Sequence, residues 1–232
     1  MQFFLFSIGV FFIPLLLNGA EVKDILLLNA LVFDVGAHVG DKTAYYLSNQ
    51  VEKIICIEPH PEVLIDLRNR YQNESRVVIE PMGLSDTEGV GLFFPGFGPS
   101  ISTMSSDWKL GRFKNDKWGP GIWIPVTTLD NMIKKYGVPD FCKIDVEGFE
   151  WNVLMGLTYR IPYISFEFVK EFLDKKTKPC LDRLIELGFE RFNVMFAYDV
   201  EFFFEQWIDS EVLFSFLKNL EDDVSWGDIY AH

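Results

Sequence analysis

The chain has 232 residues, of which 49% are hydrophobic and 16% aromatic, with 23 phenylalanines. A chain this long and apolar buries a sizeable core, which excludes intrinsic disorder. Its formal net charge of −13 excludes a protein that lives on phosphate contacts, so no nucleic-acid partner is expected, and an anionic membrane surface would repel it.

Residues 3–17 form an apolar run interrupted by Ser7, Gly9 and Pro14 and followed by Asn18-Gly19-Ala20. The run has the length of a signal-peptide core and is short for a membrane span. No basic residue precedes it, so a cleaved signal, an anchor and a packed extension all stay open. Membrane association is expected only through this segment.

From residue 31 the chain alternates. Leu31–Val35 reads as a buried strand ending at Gly36, and 41–49 as a helix. A second strand over 53–58 precedes a helix over 61–71, with Pro61 in its first turn, where a missing N–H is harmless. Residues 76–80 form a third strand. Strand–helix–strand units of this length predict a parallel sheet. Residues 95–121 are rich in Gly and Pro and carry Trp108 and Trp118, a pattern of a lid or binding loop. A short strand over 122–126 follows, then a helix over 129–136 capped by Thr128 and stopped by Gly137 and Pro139. Strands over 140–145 and 163–168 flank a helix over 148–157. A helix over 181–187 ends at Gly188. Residues 189–197 and 200–204 read as a closing antiparallel pair turning at Tyr198-Asp199, and 209–220 as a final helix. No repeat or linker interrupts this order.

The strongest local signal is Phe33-Asp34-Val35-Gly36-Ala37-His38-Val39-Gly40-Asp41. A buried strand enters a loop of small residues and then a helix, whose N-terminus offers free N–H groups to a ligand. The Gly-x-x-x-Gly spacing departs from the dinucleotide fingerprint. Strand two ends at Glu58, 18 residues after Gly40, where a carboxylate accepts ribose hydroxyls. Asp86, after strand three, would lie near an adenine. A rim of Asp34, Glu58, Asp86, Asp145 and Glu147 suits the positive sulfonium of S-adenosylmethionine better than a pyrophosphate.

Central parallel strands are normally apolar throughout. Here Lys143, Asp145 and Glu147 recur at period two, which puts all three on one face if the strand persists. Three charges there must pair with one another or serve a site. Cys56, Cys142 and Cys180 form no CxxC pair and read as small buried hydrophobes. His38, His60 and His232 show no metal-ligand spacing, so no metal is expected.

The segments Val32 to Gly40, Ile57-Glu58-Pro59, Gly83-Leu84-Ser85-Asp86, Thr128-Leu129-Asp130 and Lys143-Ile144-Asp145-Val146-Glu147-Gly148-Phe149-Glu150 resemble FkbM-type, class I methyltransferases. The resemblance covers roughly residues 31–200. It implies a Rossmann-like α/β fold, a mostly parallel seven-stranded sheet with helices on both faces and an antiparallel last strand. The apolar extension over 1–30 has no counterpart in the family; a methyltransferase domain with a lid-like loop over 95–121 is expected over 31–232. The resemblance implies S-adenosylmethionine as methyl donor and a hydroxyl on a small-molecule or sugar-containing (glycan) acceptor. Gly36, Ala37 and Gly40 would approach the methionine moiety, with Asp34 and His38 in the same binding segment. Glu58 would hold the ribose, Ser85 and Asp86 would flank the adenine, and Asp145 would sit at the methyl-transfer end. Asp145 and Glu147 are then the expected bases, with His38 third, and Lys143 orients a carboxylate. Trp108, Trp118 and Trp123 either shape an acceptor pocket or anchor the lid. A cytosolic methyl donor implies a cytoplasmic catalytic domain. The competing readings are an NAD-dependent oxidoreductase on a related fold and a catalytically inactive interaction module; a metal-dependent methyltransferase is a variant of the main reading.

Overall fold

A computed structural model describes residues 25, 29–96, 101–111, 113–197, 199, 201–221 and 225–232. The expected signal-like or anchoring segment over 3–17 lies outside these residues. Among the described residues, no helix is long and apolar enough to cross a membrane.

The strands are β1 (Leu31–Val35), β2 (Lys53–Ile57), β3 (Val77–Glu80), β4 (Gly83–Leu84), β5 (Gly89–Phe93), β6 (Ile122–Thr127), β7 (Phe141–Ile144), β8 (Tyr163–Val169), β9 (Phe192–Phe196) and β10 (Trp226–Ala231). The helices are α1 (Asp41–Ser48), α2 (Pro61–Tyr71), α3 (Ser106–Leu110), α4 (Leu129–Tyr136), α5 (Glu150–Met155), α6 (Lys178–Glu186) and α7 (Ser210–Lys218). Seven strands form one sheet in the order β3-β2-β1-β7-β8-β10-β9. The first five pair in parallel, and β10 runs antiparallel to both neighbours.

Successive residues of a strand face opposite ways, so each strand feeds two cores. Phe33, Val35, Ile55, Ile57, Cys142, Ile144 and Phe166 pack on one face with Met132 of α4, Leu154 of α5, Leu184 of α6 and Leu217 of α7. Val32, Ile54, Cys56, Phe141 and Tyr230 pack on the other with Tyr46 of α1 and Leu67 of α2. Helices thus cover both faces, as expected. The cap on α4 is as expected too: the Asn131 N–H donates to Thr128 Oγ1 at 3.1 Å. The three cysteines are buried and free.

Three sequence expectations need correction. β9 does not close against 200–204; Tyr198 and Val200 fall outside the described residues. Its ladder partner is β10, a six-residue strand whose Gly227 and Asp228 hide it in the sequence. The segment after β9 follows its outer edge irregularly, because the Asn193 side chain replaces ladder bonds: Oδ1 accepts from the N–H groups of Val194 and Phe204, and Nδ2 donates to the Phe204 carbonyl. Second, strand 122–126 belongs to a separate three-stranded sheet of order β4-β6-β5, and the sequence reading assigned no strand to β4 or β5. Third, the stretch 95–121 is not one open loop. Bridges join Phe94 to Thr103 and Gly96 to Trp118, and α3 buries Trp108 against Phe113 and Phe172. Residues 97–100 and 112 of that stretch lie outside the described residues.

Asn193→Ala leaves two backbone groups of Phe204 without their partner. Thermal unfolding of the variant is expected several °C below the parent, for a loss of about 1–3 kcal/mol; an unchanged midpoint would show that the edge segment is held otherwise.

Candidate active site

The cavity opens where the chain order reverses, with β2 on one side of β1 and β7 on the other. Its wall is built by Asp34 to His38 at the end of β1 and beyond, Ile57 to His60 at the end of β2 and beyond, Met82 to Leu84, Lys143 of β7, and Asp145 to Glu147 after β7. Phe93, Met104 and Phe149 add apolar surface.

The turn after β1 is shaped by close approach. Gly36 has φ +79°, and a Cβ there would stand 1.8 Å from the Asp145 carbonyl oxygen. Its N–H donates to the Ile57 carbonyl, tying the turn to β2. Gly40 takes φ +84° at the N-cap of α1, under the ring of Tyr71, whose hydroxyl donates to the Gly40 carbonyl. Gly40 therefore shapes the turn and does not line the cavity.

Glu58 is nearly fully buried, and each carboxylate oxygen accepts one backbone N–H: Oε1 from His60 at 2.7 Å, Oε2 from His38 at 2.9 Å. Burial raises its pKa to about 7, against the opposing pull of those two N–H groups. A carboxylate offers about four acceptor positions, so two stay open toward the cavity. His38 sits at φ +50° beside it, with a buried Nε2 that has no partner.

The opposite wall is ionic. Lys143, 3% exposed, donates to Asp145 Oδ2 at 2.5 Å. Burial alone would lower the lysine pKa, but Asp145, Asp228 and Asp34 outweigh it and raise it. Asp34 accepts from Thr43 Oγ1 at 2.6 Å; burial raises its pKa, and Lys143 pulls it back. The expected period-two strand stops at Ile144, so Glu147 is not on a strand face; it takes φ +56° in a turn. That turn is fixed by Glu150, which accepts from the N–H groups of Val146 and Gly148. Glu147 still lines the cavity. Burial and then the Asp145 charge raise its pKa.

Asp34, Gly36, Ala37, His38, Glu58, Lys143, Asp145 and Glu147 are therefore brought together. Ser85 and Asp86 are not. Ser85 donates to Asp86, its N–H joins the Thr127 carbonyl, and Met82, Gly83 and Leu84 take the wall instead. None of Trp108, Trp118 and Trp123 reaches the cavity: Trp108 is buried under α3, Trp118 donates to the Phe113 carbonyl, and Trp123 is 71% exposed on the small sheet. The sequence reading missed Glu167 and Asp228. Register reveals them. Lys143 pairs with Ser165, so the next position on that face sets Glu167 beside Asp145, and Asp228 pairs with Glu167 across β10. The alternation Ser165, Glu167 in β8 repeats that of Lys143, Asp145 and was the available signal.

The methyltransferase FkbM domain model matches residues 34–196. The chain belongs to the FkbM methyltransferase family. It is 28% identical over 162 residues to the hexuronic acid methyltransferase AglP of Haloferax volcanii, a match covering 68% of this chain and 60% of that protein. Its fold resembles the crystal structure of methyltransferase FkbM from Methylobacillus flagellatus KT, with TM-score 0.51 and 16% identity over 88% of this chain and 44% of that one. The chain thus spans less than two thirds of the length of either relative. In this FkbM family member, the matched region includes all eight residues that meet at the cavity.

The raised pKa of Glu58 has a stability consequence. Its folded form holds a proton that the unfolded form, with the ordinary pKa of 4.5, gives up. The resulting stabilisation is present below pH 4.5 and lost as pH rises through about 7. Glu58→Gln cannot lose it. The melting temperature of the variant relative to the parent is expected to be more favourable at pH 8 than at pH 5; an equal difference at both would place the Glu58 proton elsewhere.

Proposed function

We propose that the chain transfers a methyl group from S-adenosylmethionine to a hydroxyl of a sugar-containing acceptor. The observation that carries this reading is the Glu58 carboxylate, fixed by two N–H groups at the end of β2 with acceptor positions left over. That is a receptor for a pair of vicinal hydroxyls, such as those of a ribose. The cavity also fits the rest of such a cofactor. The unpartnered Nε2 of His38 offers a polar contact, Met82, Leu84 and Phe93 form an apolar wall, and the acidic rim of Asp34, Glu58, Asp145 and Glu147 favours a cation. When bound, S-adenosylmethionine supplies an electrophilic methyl group on a sulfonium.

The chain's own residues hold and orient. The Gly36 turn lets backbone approach closely. Lys143 pins Asp145, so that its carboxylate keeps one direction at the cavity wall. Asp145 or Glu147 takes the proton that an acceptor hydroxyl loses as it attacks. Phe149 and Met104 add apolar lining to the same cavity. A sugar acceptor is supported by the hexuronic acid methyltransferase among the relatives.

Calorimetric titration separates this reading from its rivals. S-adenosylhomocysteine is expected to bind and NAD is not; NAD binding would make the protein an oxidoreductase, and binding of neither would make it an interaction module. The ionised Glu58 is the stronger acceptor and can take both hydroxyls, so affinity for S-adenosylhomocysteine is expected to fall by up to about tenfold from pH 8 to pH 6. Asp145→Asn should keep that binding and lower turnover by about 10²-fold or more. Retained binding with undiminished turnover would remove Asp145 from the chemistry.

A further inference from the structure

Three carboxylates converge beside the acidic end of the cavity, two of them on its wall. Asp145 follows β7, Glu147 lies in the turn after it, and Glu167 comes from β8; one oxygen from each lies within 4.8 Å of the other two. We propose that Asp145, Glu147 and Glu167 form a binding site for a hard divalent cation of the magnesium, manganese or calcium class.

The geometry suits such an ion. Metal–oxygen distances of about 2.1–2.4 Å place ligand oxygens about 3 Å apart when adjacent and about 4.2–4.8 Å when opposite. The donors are all oxygens, which favours these ions over zinc or copper. A second observation comes from Glu167 itself. Its Oε2 is sealed from solvent and has no hydrogen-bond partner. A buried carboxylate oxygen without a donor is costly, and a cation seated among the three carboxylates would relieve that cost. The nearby ammonium groups are committed elsewhere. Lys143 donates to Asp145, and Lys176 donates to the Gly148 carbonyl and to Ser105 Oγ.

The site is placed to serve the cavity. Asp145 and Glu147 line it, while Glu167 lines a smaller adjoining pocket with Trp108 and Glu150, so an ion held by all three would keep open coordination positions on the side of the main cavity. Those positions would take oxygens of an acceptor hydroxyl or sugar carboxylate, bridging an anionic acceptor to an acidic wall. This last consequence rests on the methyl-transfer reading; cation binding itself does not. No spacing in the sequence announces the site, because its donors come from the turn after β7 and from β8 and meet only through the β7–β8 register.

The test uses the full chain stripped of metal by a chelator and titrated with Mn²⁺, the free ion being followed by its paramagnetic resonance signal. One tightly held ion per chain is expected, displaced by Mg²⁺ or Ca²⁺, together with a rise in melting temperature. Glu167→Gln is expected to weaken Mn²⁺ binding at least tenfold while S-adenosylhomocysteine affinity stays unchanged. Glu147→Gln, read by Mn²⁺ binding alone because Glu147 also lines the cavity, covers the case in which the first variant fails to fold. No uptake up to about 1 mM Mn²⁺, the weak end of protein sites for such ions, would overturn the proposal. So would uptake that both folded variants retain in full. S-adenosylhomocysteine binding without Mn²⁺ uptake would overturn the cation site and leave methyl transfer standing; Mn²⁺ uptake without S-adenosylhomocysteine binding would do the reverse.

Discussion

The ammonium of Lys143 is the interaction on which the site depends. It lies in the middle of the sheet, on β7, with Asp34 beside it on β1 and Ser165 beside it on β8. One step further along the same face come Asp145, Glu167 and, across β10, Asp228. An isolated ammonium in such a place would give up its proton or unfold the strand. Here the carboxylates around it hold the proton on, and it holds them in turn. Removing one member of such a group leaves buried charge uncompensated, which is more damaging than never having built it.

The rest of the cavity hangs on that anchor. Because Asp145 is fixed, its carbonyl oxygen can sit where only a glycine passes, and Gly36 turns the chain away from β1 against it. The turn over 145–150 is closed by Glu150 from within. It is also clasped from outside. Thr103 Oγ1 donates to the Glu147 carbonyl at 2.6 Å, and Lys176 joins the Gly148 carbonyl to Ser105. The covering segment around α3 is thus latched to the same turn that carries the acidic groups, and Trp108 seals the joint against Phe172 and the Cα of Gly148.

Much of this was legible in the sequence, for local reasons. β1, α2 and α4 begin and end at the expected residues, since Gly36, Pro61, Thr128 and Gly137 punctuate them strongly. The polar alternation in a central strand marked Lys143 and Asp145 as unusual, and they are paired. The rest depended on long-range register, which a single sequence does not display. β10 is six residues long with a glycine and an aspartate inside it, and only its two neighbours make it a strand. Glu167 gains meaning from lying beside Asp145. Ser85 and Asp86 follow β3 in the expected order, but the unforeseen β4 and the pairing of Ser85 with Thr127 draw them onto the small sheet and away from the cavity. Glu147 reaches the cavity by a turn rather than by strand periodicity.

On the proposed function, one cavity holds the methyl donor by Glu58 and presents its reactive end to the Lys143–Asp145 wall. The most direct measurement is a crystal structure of the protein with S-adenosylhomocysteine. The ribose hydroxyls are expected on the Glu58 carboxylate, with the sulfur facing Asp145. A ligand whose ribose makes no contact with Glu58, or one lodged outside this cavity, would contradict this reading.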